Sequence, residues 1–394
     1  MADAHPLQKP AMPRITSLDM LRGIVLLLMV QDHVRDTLGY MATAVLPDVA
    51  ATMLHPANLA LTSPSMFLLR FLAHLVAPGF IFLAGISVFL WGLRRGPEAS
   101  IHRYLFTRGL MIAGLNFLLF FHAPFSGQGY FTLHVLWPIG IGMVLLGLII
   151  KAPRPLLWCL ALVLICGQNV FETIHLGSGW PGTLWTLFFR SESLTLPWGD
   201  RVDVLWQIGP WFAVLLLGYL IGPIFLHKDR GCGVLLRTGL ACIGLFILLR
   251  SSGIYGDSSL WHSHDLLWQT VASFFNVTKY PASLQFFLIT FGIICYMLVA
   301  LEKTGYVHGF VLTLGGAPLF FYVAHILLLK ASRWLWPFLP EAFLAPIYGW
   351  LFSASGVLVF SALVALALYP FCKQYRQFCA AKRKGLLSEQ PEKA

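Results

Sequence analysis

Two apolar stretches near the N-terminus carry ionisable residues at helical spacing. The first contains Asp19-Met-Leu-Arg22-Gly23, then the apolar run Ile24–Val30, then Gln31-Asp32-His33-Val34-Arg35-Asp36. Asp19 and Arg22 are three apart, so on a helix they share a face and can pair. At 3.6 residues per turn, Leu26, Met29 and His33 fall on the same narrow arc. From Asp19 to His33 the rise is about 21 Å, which places an ion pair near one end of a span and an imidazole near the other. Asp32 lies off that arc, placed to neighbour His33 or an adjacent helix.

The second stretch reads Phe67-Leu-Leu-Arg70-Phe-Leu-Ala-His74, followed by Leu-Val-Ala-Pro78-Gly79. Arg70 and His74 share a face at four-residue spacing, and Pro78 predicts a kink. A neutral imidazole can take a proton from a hydroxyl or amine, or accept an acyl group itself. Ionisable groups inside a membrane are costly and generally face a cavity, which marks His74 and His33 as candidates for chemistry. For Arg14, Arg35, Asp36 and Arg70, near span ends, fixing helix orientation explains the charge equally well. The Asp19–Arg22 pair suits packing, ligand binding or both. His134, beside Trp137-Pro138, and His325, in Phe321-Tyr322-Val323-Ala324-His325, read either as further site residues or as hydrogen-bonded core histidines.

The elements that must hold these residues are membrane spans. The 394-residue chain is 58% hydrophobic and only 11% charged, with a mean hydropathy of +0.75. A soluble domain carries about a quarter charged residues, so a soluble α/β protein is excluded. The pattern predicts an all-α, polytopic membrane bundle of ten spans, each needing roughly 20 residues. They run near Ser17–Tyr40, Phe67–Leu93, Tyr104–Phe121, His134–Ile150, Leu156–Phe171, Val204–Leu226, Val234–Leu249, Ala282–Leu301, Pro318–Trp336 and Pro346–Phe371. Residues 14–372 form one transmembrane domain between a polar tail, 1–13, and a basic tail, 373–394. Tyr306–Leu314 reads as an inner connector, because Gly315-Gly316-Ala317 breaks helix and Pro318 suits a first helical turn.

Charge sets the orientation. With the N-terminus inside, eighteen of the 27 Lys and Arg residues fall on inner segments, among them Lys9, Arg14, Arg94, Arg95, Arg103 and Arg108. That excess predicts both termini in the cytoplasm, as an even number of spans requires. The net charge of +10 is therefore a membrane signature, and no nucleic-acid-binding motif accompanies it. Met1–Pro13 reads as a cytoplasmic tail and not as a removable signal peptide. None of the seven cysteines falls on a presumed outer loop, so no disulfide framework is expected, and no spacing matches a zinc site. In the outer loop Glu172–Asp203, Trp180, Trp185 and Trp198 suit either an interfacial belt or sugar stacking. Trp261-His-Ser-His264-Asp265 suits a solvated loop better than a metal site.

The opening Arg14-Ile-Thr-Ser-Leu-Asp-Met-Leu-Arg-Gly23, with Met29-Val-Gln-Asp-His33, resembles the heparan-alpha-glucosaminide N-acetyltransferase-like membrane family, in its bacterial branch. Further matches are Arg70–Gly85, Arg108-Gly109, Val135-Leu-Trp-Pro-Ile-Gly140, Asn276-Val-Thr-Lys-Tyr-Pro281 and Gly316–His325. Other transmembrane acyltransferase families share Leu-Arg-Gly starts, so the ordered set carries more weight than the opening. The resemblance implies a multi-pass protein of the bacterial inner membrane. It also implies transfer of an acetyl group from cytoplasmic acetyl-CoA to a sugar or glycolipid acceptor on the far side, with no tightly bound cofactor. Catalytic roles would fall to His74, His33 and Asp32. Asp19, Arg22, Arg70, Arg108 and His325 would bind acceptor or acyl-CoA. Membrane lipids are the expected surroundings, and a homo-oligomer is compatible with the sequence. The chain departs from the lysosomal branch in lacking a Trp-Asn-Gly stretch after the first span, where its loop histidine is His55. His74 also stands where that branch tends to carry an acid. The competing class is a transporter or flippase of a small or lipid-linked molecule, for which breaks at Pro78 and Gly315–Pro318 would serve equally. A scaffold without chemistry leaves the cost of His33 and His74 harder to rationalise.

Overall fold

A computed structural model of the chain describes residues 15–95, 100–122, 130–177, 179–196 and 199–388. Lys9, Arg14, Trp198 and Lys393 lie outside the described residues. Helix dominates, in the order α1 (Thr16–Ala42), α2 (Pro47–Leu54), α3 (Pro64–Ala73), α4 (Val76–Arg95) and α5 (Ile101–Phe120). Next come α6 (Leu136–Ile149), α7 (Arg154–Cys166), α8 (Gln168–Phe171), α9 (Trp180–Phe189), α10 (Ile208–Ile221) and α11 (Lys228–Ser252). The C-terminal part holds α12 (Leu267–Phe275), α13 (Leu284–Thr304), α14 (Gly309–Gly315), α15 (Pro318–Leu335), α16 (Glu341–Leu344), α17 (Tyr348–Leu351) and α18 (Ala354–Ser388).

Among the described residues, five helices are long and apolar enough to cross a membrane, or six if the bent pair α14–α15 is one span. The ten expected spans are not all reached on these grounds. Charges interrupt α1 at Asp19, Arg22, Asp32, Arg35 and Asp36, and α5 begins with His102, Arg103 and Arg108; α6 and α7 are apolar but short.

The bundle packs around α1, whose residues Leu21, Val25, Leu26 and Val30 are fully buried. Small residues let backbones approach closely, as membrane helix pairs require in the absence of a hydrophobic drive between helices. At the α4–α10 crossing, a Cβ on Gly85 would stand 2.0 Å from the Leu215 carbonyl oxygen, and one on Gly218 would stand 2.1 Å from that of Phe82. Gly315 similarly brings α14 onto α1, where a Cβ would meet the Asp19 carbonyl oxygen at 1.9 Å.

Three expectations gain structural detail. The break in the second span falls at His74-Leu75, between α3 and α4, rather than at Pro78 itself. Pro78 has no N–H for the carbonyl four residues earlier, so the helix opens there and restarts. The expected connector Tyr306–Leu314 contains α14, which meets α15 at 89°. The expected C-terminal tail continues α18 to Ser388, since the residues after Pro370 are mostly good helix formers. Arg376 on that extension donates to the Leu312 carbonyl at 3.1 Å.

A small sheet also departs from the all-helical expectation. The strands β1 (Phe121–His122), β2 (Tyr130–Leu133), β3 (Ser193–Thr195) and β4 (Arg201–Val204) lie in the order β1-β2-β4-β3. β2 and β4 pair in parallel with Leu133 opposite Val204, and Trp206 N–H donates to the Leu133 carbonyl at 3.2 Å. Tyr-Phe-Thr-Leu and Arg-Val-Asp-Val are rich in strand-favouring residues, but such short segments give a weak signal between strong helical ones. The sheet delivers His134 and Trp206, just beyond β2 and β4, to the same place.

Candidate functional site

His33 of α1 and His325 of α15 meet edge to edge in nearly one plane, with centroids 5.1 Å apart and planes within 4°; Nδ1 of His33 is 2.8 Å from Nε2 of His325. His134 approaches His33 edge-on at 6.0 Å between centroids, and Nδ1 of His134 is 3.3 Å from the Tyr322 hydroxyl. His325 is completely buried. Asn116 of α5 holds the approach to His134: its amide donates to the Thr132 carbonyl and its oxygen accepts from His134 N–H, at 3.0 and 2.9 Å.

Asp32, the neighbour of His33, is fixed by two cations. Arg35 contacts one oxygen at 2.7 Å and Lys279 approaches the other at 3.6 Å; Arg35 also contacts Asp36 at 2.7 Å. Lys279 comes from the loop between α12 and α13 and lies over the rings of Tyr280 and Trp206 at 5.2 and 5.6 Å. Burial alone would push the Lys279 ammonium down, but Tyr280 and Asp32 outweigh it and leave its pKa raised. Asp257 holds that loop in place by accepting from Thr278 N–H at 2.9 Å, the Thr278 hydroxyl at 2.7 Å and the Ser283 hydroxyl at 2.7 Å.

A cavity of about 380 Å³ runs along α1 from this cluster. One end is lined by Asp32, His33, His134, Lys279, Tyr280 and Tyr322, and the other by Arg22, Ser87, Tyr104 and Arg108. Met29, Phe80, Ile112 and Met143 form apolar walls between them. From Arg22 to His33 the rise along α1 is about 16 Å. Arg22 pairs with Asp19, as their spacing predicts, and donates to the Ser87 hydroxyl at 2.7 Å.

A second cavity, of about 720 Å³, is lined by Arg35, His55, Arg70, His74 and Asn276. Asp32, Asp36, Lys279 and Tyr280 line both, so these four residues form the partition between the cavities. Arg70 donates to the Asn276 side-chain oxygen at 2.9 Å. His74 is buried against Phe71 and Phe286, and neither ring nitrogen has a partner among the described residues.

Of the residues singled out in the sequence, Asp32, His33, Arg22 and Arg108 thus border one cavity, and His325 stands directly behind His33. Asp19 is joined to it through Arg22. Arg70 and His74 belong to the other cavity, which meets the first at Asp32, Asp36, Lys279 and Tyr280. Arg94, Arg95 and Arg103 line neither. Sequence reasoning missed Lys279, Tyr280 and Tyr322; the signals were a lysine and tyrosine beside Pro281, and a tyrosine one helical turn before His325. Trp185 is structural, donating its indole N–H to the Phe171 carbonyl at 2.9 Å. His262 and His264 bond through their backbone N–H groups to Ser273 and Thr270, and no metal-binding group occurs among the described residues.

The apolar helices together with this enclosed polar cluster define a multi-pass integral membrane protein with an internal site. The chain belongs to the family described as heparan-alpha-glucosaminide N-acetyltransferase, catalytic, whose model matches residues 14–252, and so to a family of membrane acetyltransferases. The match takes in Asp32, His33, His74, Arg108 and His134. Lys279, Tyr280, Tyr322 and His325 lie beyond it. No curated relative matches the chain.

Proposed function

We propose that this protein transfers an acetyl group from cytoplasmic acetyl-CoA to a sugar or glycolipid acceptor on the far side of a bacterial inner membrane. The observation that carries this reading is the cavity joining Arg22 and Arg108 to His33, with a second cavity meeting it across Asp32, Lys279 and Tyr280. Donor and acceptor would then approach one site from opposite ends. In this reading α1, α5, α6 and α7 complete the ten-span bundle with both termini inside, and exposed leucines of α11 such as Leu240 and Leu248 face lipid.

Arg22 and Arg108 suit the phosphates of CoA, and the apolar walls suit its uncharged arm. His33 takes the proton as the acceptor nitrogen or oxygen attacks the thioester carbonyl. The C–S bond breaks, and the proton passes from His33 to the departing thiolate, so that N-acetyl or O-acetyl product and CoA leave in balance. In this reading Lys279, which lines the cavity beside His33, stabilises the oxyanion that develops on the carbonyl. His74 and Arg70 border the acceptor's route, with Asp32 orienting the charges between.

The 89° turn between α14 and α15 and the break at His74-Leu75 keep a transporter as the second reading. Glycans and lipids of cells with and without the protein, compared by mass spectrometry, separate the two. Loss of an acetyl-sized group in cells lacking the protein supports transfer. Unchanged acetylation, together with substrate accumulation in vesicles free of acyl-CoA, supports transport.

A further inference from the structure

Nδ1 of His325 lies 3.0 Å from the carbonyl oxygen of Phe321, one turn earlier in α15. A carbonyl can only accept, so this contact places a proton on Nδ1 of His325. In a neutral ring the other nitrogen, Nε2, is then a bare acceptor. That atom is the one 2.8 Å from His33 Nδ1, so the bridging proton must belong to His33. We infer that His325 is a positioning residue that locks His33 as its Nδ1–H tautomer and leaves Nε2 of His33 as the nitrogen able to take a proton.

Burial supports this division of labour. His325 is wholly enclosed, stacked on Phe321 with centroids 5.7 Å apart, and does not border the cavity; His33 does. The orienting partner is thus a neutral ring anchored to backbone, and Asp32 influences His33 from the side rather than through Nδ1. When His33 Nε2 takes the acceptor's proton, the resulting imidazolium keeps its Nδ1–H bond to His325. The proton then leaves from Nε2 to the thiolate, and His325 exchanges none.

The catalytic part of this inference rests on the acetyl-transfer reading, whereas the tautomer can be measured without it. In full-length protein labelled with 15N-histidine, the His33 signals are assigned by their loss in His33→Gln, and proton–nitrogen correlations report which nitrogen is protonated. Protonation on Nδ1, shifting to Nε2 in His325→Asn, is the expected result. The Gln side chain reaches the former Nε2 position and can accept, whereas Asn does not reach it. His325→Gln should therefore hold the tautomer and keep kcat within about threefold, while His325→Asn should lower kcat at least about 100-fold with KM for acetyl-CoA unchanged. Finding His33 protonated on Nε2 in the unaltered protein, or a tautomer indifferent to His325→Asn, would overturn the inference. The expected tautomer without acetyl transfer to any acceptor would instead remove the enzymatic reading and leave the positioning in place.

Discussion

Lys279 stands 3.6 Å from Asp32 in the partition between the two cavities, joining the loop before α13 to the C-terminal half of α1. Asp32 also holds Arg35, so the two partners are not equivalent. Asp32→Asn leaves Lys279 and part of Arg35 uncompensated and should cost about 3 kcal/mol, within the range for breaking a buried pair. Lys279→Met leaves Asp32 paired with Arg35 and should cost less, about 1 kcal/mol. Thermal melts of both variants and of the double variant check this. The double variant should recover part of the Asp32→Asn loss.

Arg250 should be irreplaceable by lysine. It is buried and donates to the carbonyls of Ser259, Ser273, Phe274 and Asn276, at 2.6 to 3.2 Å. An ammonium cannot span that fork, and each carbonyl left unpaired costs free energy. Arg250→Lys should destabilise by at least about 2 kcal/mol and speed amide exchange in the segment that leads to Lys279, read by hydrogen-exchange mass spectrometry.

Glu172, at the end of α8, has one carboxylate oxygen buried without a partner among the described residues. Burial pushes its pKa up to about 7; a hydrogen bond from Gln168 opposes the shift and the charge of Asp257 adds to it. The folded chain therefore holds this proton more tightly than the unfolded chain. Its contribution to stability is fully present below the unfolded value and is lost as pH rises through about 7. Going from about pH 5 to about pH 8, the melting temperature should fall more for the wild type than for Glu172→Gln.

Gly218 packs against α4 with no room for a methyl group. Gly218→Ala should cost about 1–3 kcal/mol through overpacking, whereas Gly233→Ala, with open space around it, should not destabilise. Tryptophan-fluorescence melts of the two variants make the comparison.

Much of this was legible in the sequence, for physical reasons. The pairing of Asp19 with Arg22 and the placement of His33 on their side of α1 follow from helix periodicity alone. The long apolar runs fix the membrane class. What periodicity cannot supply is which helices touch. His33 meets His325 only because α15 folds back on α1, and α14 turns there by 89° beside glycines that read as a simple break. Spacing put Arg70 and His74 on one face of the second stretch, but not which cavity that face lines, and it is the one that His33 does not border. The sheet was invisible because each strand is too short to stand out, and it is the sheet that carries His134 and Trp206 to the cluster.

The most direct test supplies labelled acetyl-CoA to the cytoplasmic face of oriented vesicles and counts label on an acceptor presented to the other face. Wild type, His33→Ala and His74→Ala are compared. Transfer by the wild type, a loss of at least about 100-fold in His33→Ala and a smaller loss in His74→Ala are expected. Equal labelling by wild type and His33→Ala would contradict the central role of His33.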